Sequence, residues 1–203
     1  LREKMSIPVF HDDQHGTAIV VAAAMTSALD IVGKSISEVK LVASGAGAAS
    51  LACLNLLVSM GLQRENIIVT DITGVVYQGR EQDMDPYKQR YAVDTPHRSL
   101  AEAIEGADIF LGLSAADVLK AEMLDSMAHK PIVFALANPN PEINPNLAHE
   151  VRDDLIIATG RSDFPNQVNN VLCFPFLFRG ALDVGATEIN EAMKIACVHA
   201  ISH

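Results

Sequence analysis

The sequence predicts an α/β fold in which helices cover both faces of a mainly parallel sheet. Apolar runs of strand length alternate along the chain with helical patterns, which is the order of βαβ units. Ala, Val, Ile and Leu dominate the composition and Trp is absent, as is typical of strands that are buried on both faces. The 203 residues are therefore predicted to form one Rossmann-like, doubly wound domain.

Short apolar runs mark the predicted strands, and each is bounded by Gly, Pro, Asn or Asp. "VKLVAS" runs into a glycine-rich turn, whereas Pro139 and Pro141 stop "PIVFALAN". In an open parallel sheet, ligands bind outside the carboxyl ends of the strands, so these ends are candidate sites. The strands are predicted at 39–44, 66–71, 108–114, 131–138 and 154–160.

Helical patterns separate most of these strands. The first is rich in Ala and precedes Gly33, a residue that commonly ends helices. The polar stretch 72–95 contains Gly74, Gly79 and Pro86 and is predicted to be mostly loop. The helices are predicted at 17–31, 47–60, 99–107, 116–127, 144–151, after Pro175, and at 187–201.

One uncharged stretch, 41–62, is long enough to cross a membrane. Gly45 and Gly47 interrupt it where a strand would turn into a helix, and several Ser and Asn residues are polar for a lipid-facing segment. A strand, a glycine turn and a helix explain the stretch better. We expect no membrane partner.

The charge and the cysteines narrow the class of protein. The formal net charge is −10, with no block of like charge, which argues against a nucleic-acid partner. Cys53, Cys173 and Cys197 are far apart with apolar neighbours, which favours reduced core residues. The start "LREKMSIPVF" resembles neither a signal peptide nor a natural beginning. We expect a cytoplasmic protein, or one from an organelle matrix.

The glycine turn, Gly45 to Ala49, is the first candidate site. Gly45 permits the tight turn, Gly47 lets a pyrophosphate approach the backbone, and the amides of the following helix face that anion. Ser50 replaces the third glycine of the usual pattern, so the spacing alone also fits a plain βα turn. The cofactor residues predicted here are Gly45, Ala46, Gly47, Ala48 and Ala49.

Asp71 closes the next strand and would accept hydrogen bonds from the adenosine ribose. Its charge would repel a 2′-phosphate, which favours NAD over NADP. Arg80, Lys88 or Arg90 could fold back to hold such a phosphate instead. Ser114, at another strand end, is also predicted to contact the cofactor.

Three asparagines could bind substrate or cofactor. Asn138 ends a strand before Pro139, which biases it towards an extended conformation at the edge of the sheet. For Asn169 and Asn170 the pattern alone favours a helix N-cap. Amides grouped at one edge would suit a dicarboxylate and a nicotinamide.

The stretch "PVFHDDQHGTA" places adjacent acids before an apolar helix. Asp12 and Asp13 fit either a solvated helix start or part of an Mg²⁺ or Mn²⁺ site. His11 and His15 have helical spacing, but no further zinc ligands are visible, so we expect local hydrogen bonds.

Taken together, "VFHDDQHGTA", "GAGAAS", "ALANPNPEI" and "ATGRSDFPNQVNNVLCFPF" resemble the malic enzymes, in particular the bacterial type, over essentially the whole chain. The resemblance implies oxidative decarboxylation of (S)-malate to pyruvate and CO₂ with reduction of NAD or NADP. It identifies the chain as the C-terminal NAD(P)-binding part, with the catalytic N-terminal part absent. It also implies that this chain alone is inactive, and that the enzyme is a homo-oligomer.

The resemblance assigns roles to individual residues. Asp13 is similar to the metal-ligand aspartate, and Asp12 to the neighbour that pairs with the catalytic lysine. Asn138, Asn169 and Asn170 match the asparagines that line malate and nicotinamide. Segment 1–35 would thus carry a partial Mg²⁺ or Mn²⁺ site. The other metal carboxylates, the lysine and a tyrosine acid belong to the absent part.

Two other functions fit parts of this pattern. A regulatory dinucleotide-binding module needs the glycine turn and Asp71 but no metal carboxylates. An amino-acid dehydrogenase domain would keep the turn and gives no reason for the adjacent aspartates. Asp12 and Asp13 therefore separate the enzyme hypothesis from both alternatives.

Overall fold

A computed structural model describes residues 4–203, and its centre is a six-stranded sheet. The first three residues of the predicted leading segment 1–35 lie outside the described residues. The strands are β1 (Leu41–Ser44), β2 (Ile67–Asp71), β3 (Gly74–Val75), β4 (Ile109–Gly112), β5 (Ile132–Ala135) and β6 (Ile156–Thr159).

Helices connect the strands and complete the domain. A short π-helical turn, Asp12–Gly16, runs directly into the first of them. The helices are α1 (Thr17–Val32), α2 (Ala48–Ser59), α3 (Leu100–Ile104), α4 (Ala121–Asp125), α5 (Pro145–Val151), α6 (Phe174–Asp183) and α7 (Glu191–Ser202).

The strand order is β3-β2-β1-β4-β5-β6, and every neighbouring pair is parallel except β2 with β3. Ser44, the last residue of β1, lies opposite Thr70 of β2 on one side and Gly112 of β4 on the other. The order therefore reverses direction between β1 and β4, which is where ligands bind in doubly wound sheets. The predicted fold class is confirmed.

The sheet separates two hydrophobic cores, because alternate residues of each strand point to opposite faces. Leu41, Ala43 and Ile109 belong to the core that includes α1, α2 and α7. Val42 and Phe110 belong to the second core, which α3, α4 and α5 cover. Both faces of the sheet are thus buried, as the run of apolar residues in each strand predicts.

The first helix is the buried centre of its core. It packs on α2 and α7, and Gly33 ends it in a left-handed conformation (φ +72°), with its amide donating to Leu29 O at 2.9 Å. The segment Asp12–Val32 is long and apolar enough to span a membrane, but more than half of its apolar window is buried in the domain. The stretch 41–62 contains β1, the glycine turn and the whole of α2, as predicted.

Three predicted elements differ most from the structure, and the helices predicted at 99–107 and 187–201 are also shorter, as α3 and α7. The stretch 72–95 contains β3, whose two residues pair with the end of β2, and a 3₁₀ turn at Lys88–Tyr91. The helix predicted at 116–127 is only α4, because residues 115–120 form turns. Residues 136–138 leave the sheet after β5, so that strand is shorter than its apolar run.

The cysteines are free thiols, and Cys53 and Cys173 are buried. Burial raises the pKa of each of these two thiols to about 12, so both stay protonated at neutral pH. The prediction of reduced cysteines agrees with this environment.

Phe110→Ala is expected to lower the free energy of unfolding by about 3–5 kcal/mol, because it empties a fully buried aromatic site in the second core. Urea unfolding measures the change. Ile72→Ala is the control, since Ile72 is 99% exposed and its loss should cost less than about 0.5 kcal/mol. Equal losses for the two variants would contradict the described burial.

Candidate functional site

A pocket of about 200 Å³ at the carboxyl edge of the sheet joins distant parts of the chain. Asp13 from the turn before α1, Asn138 after β5, and Asn169 and Asn170 after β6 all line it. Ala49, in the first turn of α2, lines the same pocket. The structure thus brings four of the predicted metal and substrate residues together beside the glycine turn.

Hydrogen bonds to the backbone orient Asn169 and Asn138. Asn169 Oδ1 accepts from the amide of Val171 at 3.0 Å, and its Nδ2 donates to Gly160 O at 3.3 Å. Asn138 Nδ2 donates to Leu136 O at 3.4 Å. Asn169 therefore caps the 3₁₀ turn Asn170–Leu172, which corresponds to the N-cap alternative predicted from the sequence. It also lines the pocket.

Asp12 does not line this pocket, but its carboxylate contacts Asn170, which does. Its Oδ2 accepts a short hydrogen bond from Asn170 Nδ2, while its buried Oδ1 has no hydrogen-bond partner within residues 4–203. A Cβ at Gly16 would lie 2.2 Å from this Oδ1 and 3.3 Å from Asn170 Cβ, so a side chain there would displace the Asp12 carboxylate. A buried carboxylate oxygen without a donor is costly, so this oxygen is a candidate contact for a group that residues 4–203 do not supply.

The two histidines interact locally, as predicted. The amide of His11 donates to Nδ1 of His15 at 3.3 Å, and the His15 ring lies against Phe10. Within residues 4–203 no group of three or more His, Cys, Asp or Glu side chains could hold a metal ion. Asp13 is thus at most one ligand of a larger coordination sphere.

The glycine turn leaves room for a ligand at the start of α2. Gly45 has φ +107°, and a Cβ there would lie 2.4 Å from Leu113 O, so both the conformation and the packing require glycine. A Cβ at Gly47 would meet nothing within 4 Å. The amides at this end of the 12-residue helix α2 are therefore open to an anion.

A larger pocket, of about 830 Å³, adjoins the turn on the side of β2. Its polar lining includes Asp71, Asp85 and Lys88, and Ala46, Gly47 and Ala48 also line it. The volume is that of a typical small-molecule site. The two pockets flank the turn, which suits the two halves of a dinucleotide.

Asp71 has hydrogen-bond donors on both carboxylate oxygens. Its Oδ1 accepts from the amide and hydroxyl of Thr73, at 2.9 and 2.8 Å. Its Oδ2 accepts from Arg80 at 2.5 Å and from Lys88 at 3.0 Å. Burial alone would raise the pKa of Asp71, but the donors from Arg80, Thr73 and Lys88 outweigh it and hold this pKa well below the usual range.

This arrangement changes the interpretation of Asp71. The sequence predicted a carboxylate free to accept ribose hydroxyls, with a charge that would repel a 2′-phosphate. In the structure Arg80 and Lys88 balance that charge, and the side chain of Arg80 is only 3% exposed. The electrostatic reason to prefer NAD over NADP is therefore weakened.

Ser114 lies at the predicted strand end, but neither of the two pockets beside the turn is lined by it. Its hydroxyl lies 2.8 Å from that of Ser44, and its amide donates to Glu142. Glu142 was not predicted, because an isolated acid after Pro141 carries no pattern that marks it as buried. The burial of Arg80 could not be predicted either, because the stretch 72–95 around it is polar.

Comparison with known proteins agrees with this geometry. The family model "Malic enzyme, NAD binding domain" matches residues 14–203. The chain belongs to the malic enzyme family. It is 66% identical over its whole length to an NAD-dependent malic enzyme of Rhizobium meliloti and to an NADP-dependent malic enzyme of Haemophilus influenzae.

Solved malic enzymes share the fold. The crystal structure of the Entamoeba histolytica enzyme superposes with a TM-score of 0.91 at 44% identity, and covers 98% of this chain and 43% of its own. An NAD-dependent malic enzyme from Thermotoga maritima gives 0.91 at 43% identity, covering 98% of this chain and 53% of its own. A glutamate dehydrogenase from Thermus thermophilus, at 12% identity, shares the fold alone (TM-score 0.54).

The chain spans about a quarter of the length of the curated malic enzymes, 26% and 27% for those from Rhizobium and Haemophilus. The match identifies it as the NAD-binding domain of a malic enzyme. Within residues 4–203, Asp13 belongs to no group of three or more possible metal ligands, and Asp12 Oδ1 has no hydrogen-bond partner.

Asp71→Asn is expected to lower the free energy of unfolding by about 3 kcal/mol at pH 7, because it leaves the buried Arg80 without its charged partner. The folded-state pKa of Asp71 is lowered. Its contribution to the free energy of unfolding is therefore fully present above its unfolded-state pKa and declines as pH falls below about 4. Urea unfolding at several pH values measures this.

The matched control is Asp163→Asn, which removes an exposed partner of Arg161 and should cost less than about 1 kcal/mol. A loss for Asp71→Asn no larger than that of the control would show that the buried pair contributes little.

Proposed function

We propose that this domain belongs to an enzyme that converts (S)-malate to pyruvate and CO₂ and reduces NAD or NADP. The observation that carries the proposal is the pocket in which Asp13, Asn138, Asn169 and Asn170 meet beside the glycine turn. A regulatory nucleotide-binding module has no use for a carboxylate at that position. The names of the related proteins support the same reaction.

The asparagines would hold the substrate and the redox ring. Their amide groups can donate to a malate carboxylate and accept from the nicotinamide carboxamide. Val20, Leu136 and Val168 supply the apolar part of the lining, which would limit water at the reacting carbon. Fixing both reactants in one pocket supplies much of the rate by orientation.

Asp13 would be one ligand of Mg²⁺ or Mn²⁺, since hard cations prefer carboxylate oxygens. The remaining protein ligands would come from other parts of the enzyme, and the lack of a group of three or more possible ligands within residues 4–203 supports this. When bound, the cation would supply Lewis-acid stabilisation of the charge that develops during decarboxylation.

Asp12 would hold a lysine base contributed by the rest of the polypeptide. Its buried Oδ1 needs a donor, and an ammonium group would satisfy it while compensating its charge. Asn170 fixes the other oxygen, so the carboxylate has one orientation available for that partner. Asp12 would therefore set the position of the group that accepts the malate hydroxyl proton.

The nucleotide would cross the glycine turn, with its pyrophosphate at the start of α2 and its adenosine half in the larger pocket. Lys88 lines that pocket and donates to Asp71 at 3.0 Å and to Asp83 O at 2.7 Å, which leaves one N–H available. Asp85 lines it as well and opposes an added phosphate. We propose that Lys88 contacts the ribose 2′ position and sets the ratio of NADP to NAD use.

The same proposal extends to the location, the assembly and the partners of the enzyme. The complete enzyme would work as a cytoplasmic homo-oligomer on a small carboxylate. The net charge of −10 supports the absence of a nucleic-acid partner, and the burial of α1 and α2 supports the absence of a membrane partner.

Asp13→Ala in the full-length protein is expected to reduce Mn²⁺-dependent malate oxidation by at least about 100-fold, because a group that holds transition-state charge is lost. Its dinucleotide affinity should stay within about tenfold of wild type. A coupled NAD(P)H absorbance assay and fluorescence titration measure the two quantities.

Asp30→Ala, at the exposed end of α1, is the control and should keep full activity. Unchanged Mn²⁺-dependent turnover by Asp13→Ala would remove Asp13 from the site. A full-length protein that binds dinucleotide and never oxidises malate would instead favour the regulatory module.

Lys88→Gln is expected to lower kcat/KM for NADP about tenfold relative to that for NAD, because a charged hydrogen bond is worth about 1.5–3 kcal/mol. Steady-state kinetics with each nucleotide measure the ratio. Arg90→Gln is the control, since Arg90 lies over the Tyr87 ring rather than on Asp71. An equal change with both nucleotides would contradict a contact to the 2′ position.

A further inference from the structure

A fully buried acid, Glu142, lies beneath the carboxyl edge of the sheet. Its exposed fraction is 0%, and none of the ion pairs formed within residues 4–203 includes it. Burying a carboxylate costs several kcal/mol unless donors compensate. Its contacts therefore need an explanation beyond packing.

Two backbone amides from different loops meet this carboxylate. Oε1 accepts from the amide of Ser114 at 2.9 Å, and Oε2 accepts from the amide of Ala137 at 3.0 Å. Ser114 follows β4, and Ala137 immediately precedes Asn138. One side chain thus joins the end of β4 to the residue next to a pocket asparagine.

The structure makes room for this contact at Gly112. A Cβ on Gly112 would lie 2.4 Å from Glu142 Cδ and 2.7 Å from Oε1, so the last residue of β4 must be glycine for the acid to enter. The network then reaches β1, because the Ser114 hydroxyl lies 2.8 Å from that of Ser44, directly before Gly45. Three strand ends are linked in this way.

We propose that Glu142 is a positioning residue for the decarboxylation proposed above, on which this inference rests. It acts through Ala137 and Ser114, and it fixes Asn138 relative to the glycine turn. The backbone after β5 has left the sheet at this point, so these amides lack strand partners and depend on the carboxylate. Displacement of Asn138 would misalign malate and nicotinamide while leaving the domain folded.

A glutamine cannot replace this acid. Burial raises the pKa of Glu142, and the amides of Ala137 and Ser114 oppose that rise by favouring the ionised form. Glutamine has the same size but only one acceptor oxygen, so its NH₂ group would face one of the two N–H donors. Glu142→Gln therefore breaks one end of the bridge without creating a cavity.

The test compares full-length wild type with Glu142→Gln and Asp108→Asn. Asp108 is a matched control, because it accepts from the amide of Lys40 at 2.9 Å and from Lys34 at 2.7 Å just before β4, at the opposite end of that strand. For Glu142→Gln we expect kcat/KM for malate to fall about 10- to 100-fold, with changes in both kcat and KM. Dinucleotide Kd should stay within about threefold, because neither Glu142 nor the two residues whose amides it holds line the larger pocket beside the glycine turn.

Asp108→Asn should lower Tm and leave both kinetic constants unchanged. If Glu142→Gln also lowers only Tm, Glu142 is structural and the proposal is overturned. Should Glu142→Gln fail to fold, Glu142→Asp replaces it, because aspartate keeps the charge but is too short to reach both amides. For Glu142→Asp the proposal requires the same fall in kcat/KM for malate, with changes in both kcat and KM. A wild type without malate turnover refutes the proposed function itself, whereas an active wild type with an unaffected variant refutes only the role of Glu142.

Discussion

The parallel pairing of β1 with β4 is the constraint on which the site depends. The chain leaves β1 towards β2, and it later enters β4 on the opposite side of β1. The connections after these two strands therefore diverge and leave a crevice above the sheet. The glycine turn forms one wall of this crevice, and Leu113 packs against it so closely that Gly45 tolerates no side chain. The pocket of about 200 Å³ that the asparagines line and the larger pocket on the side of β2 lie on either side of that contact.

Much of the fold could be predicted, because apolar runs and glycines encode it locally. Gly33 ended its helix as expected, and the run before Gly45 formed β1. β3 was missed because its two residues have no periodicity of their own and form a strand only by pairing with β2. The helix at 116–127 was overestimated for a related reason, since contacts of Asp117 and Leu119 with the loop after β5 hold the first half in turns.

The position of a candidate site residue was predictable where the residue type and the end of a strand coincide in the sequence. That applies to Asn138 and to the glycine turn. It does not apply to Asp71, whose interpretation depended on where Arg80 and Lys88 fold, and a polar loop gives no signal for that. Nor does it apply to Glu142, because the burial of an isolated acid is decided by loops that are distant in sequence from it.

The sheet also divides the domain into regions with different tolerance to substitution. The residues proposed for chemistry lie at its carboxyl edge and on the face of α1, α2 and α6, whereas α3, α4 and α5 close a separate core on the other face. Repacking the part of that second core away from Ile143, which directly follows Glu142, would change the melting behaviour of the domain while leaving the contacts of Glu142 in place. It is the region in which to engineer heat resistance, and redesign of the opposite face would risk activity at every step.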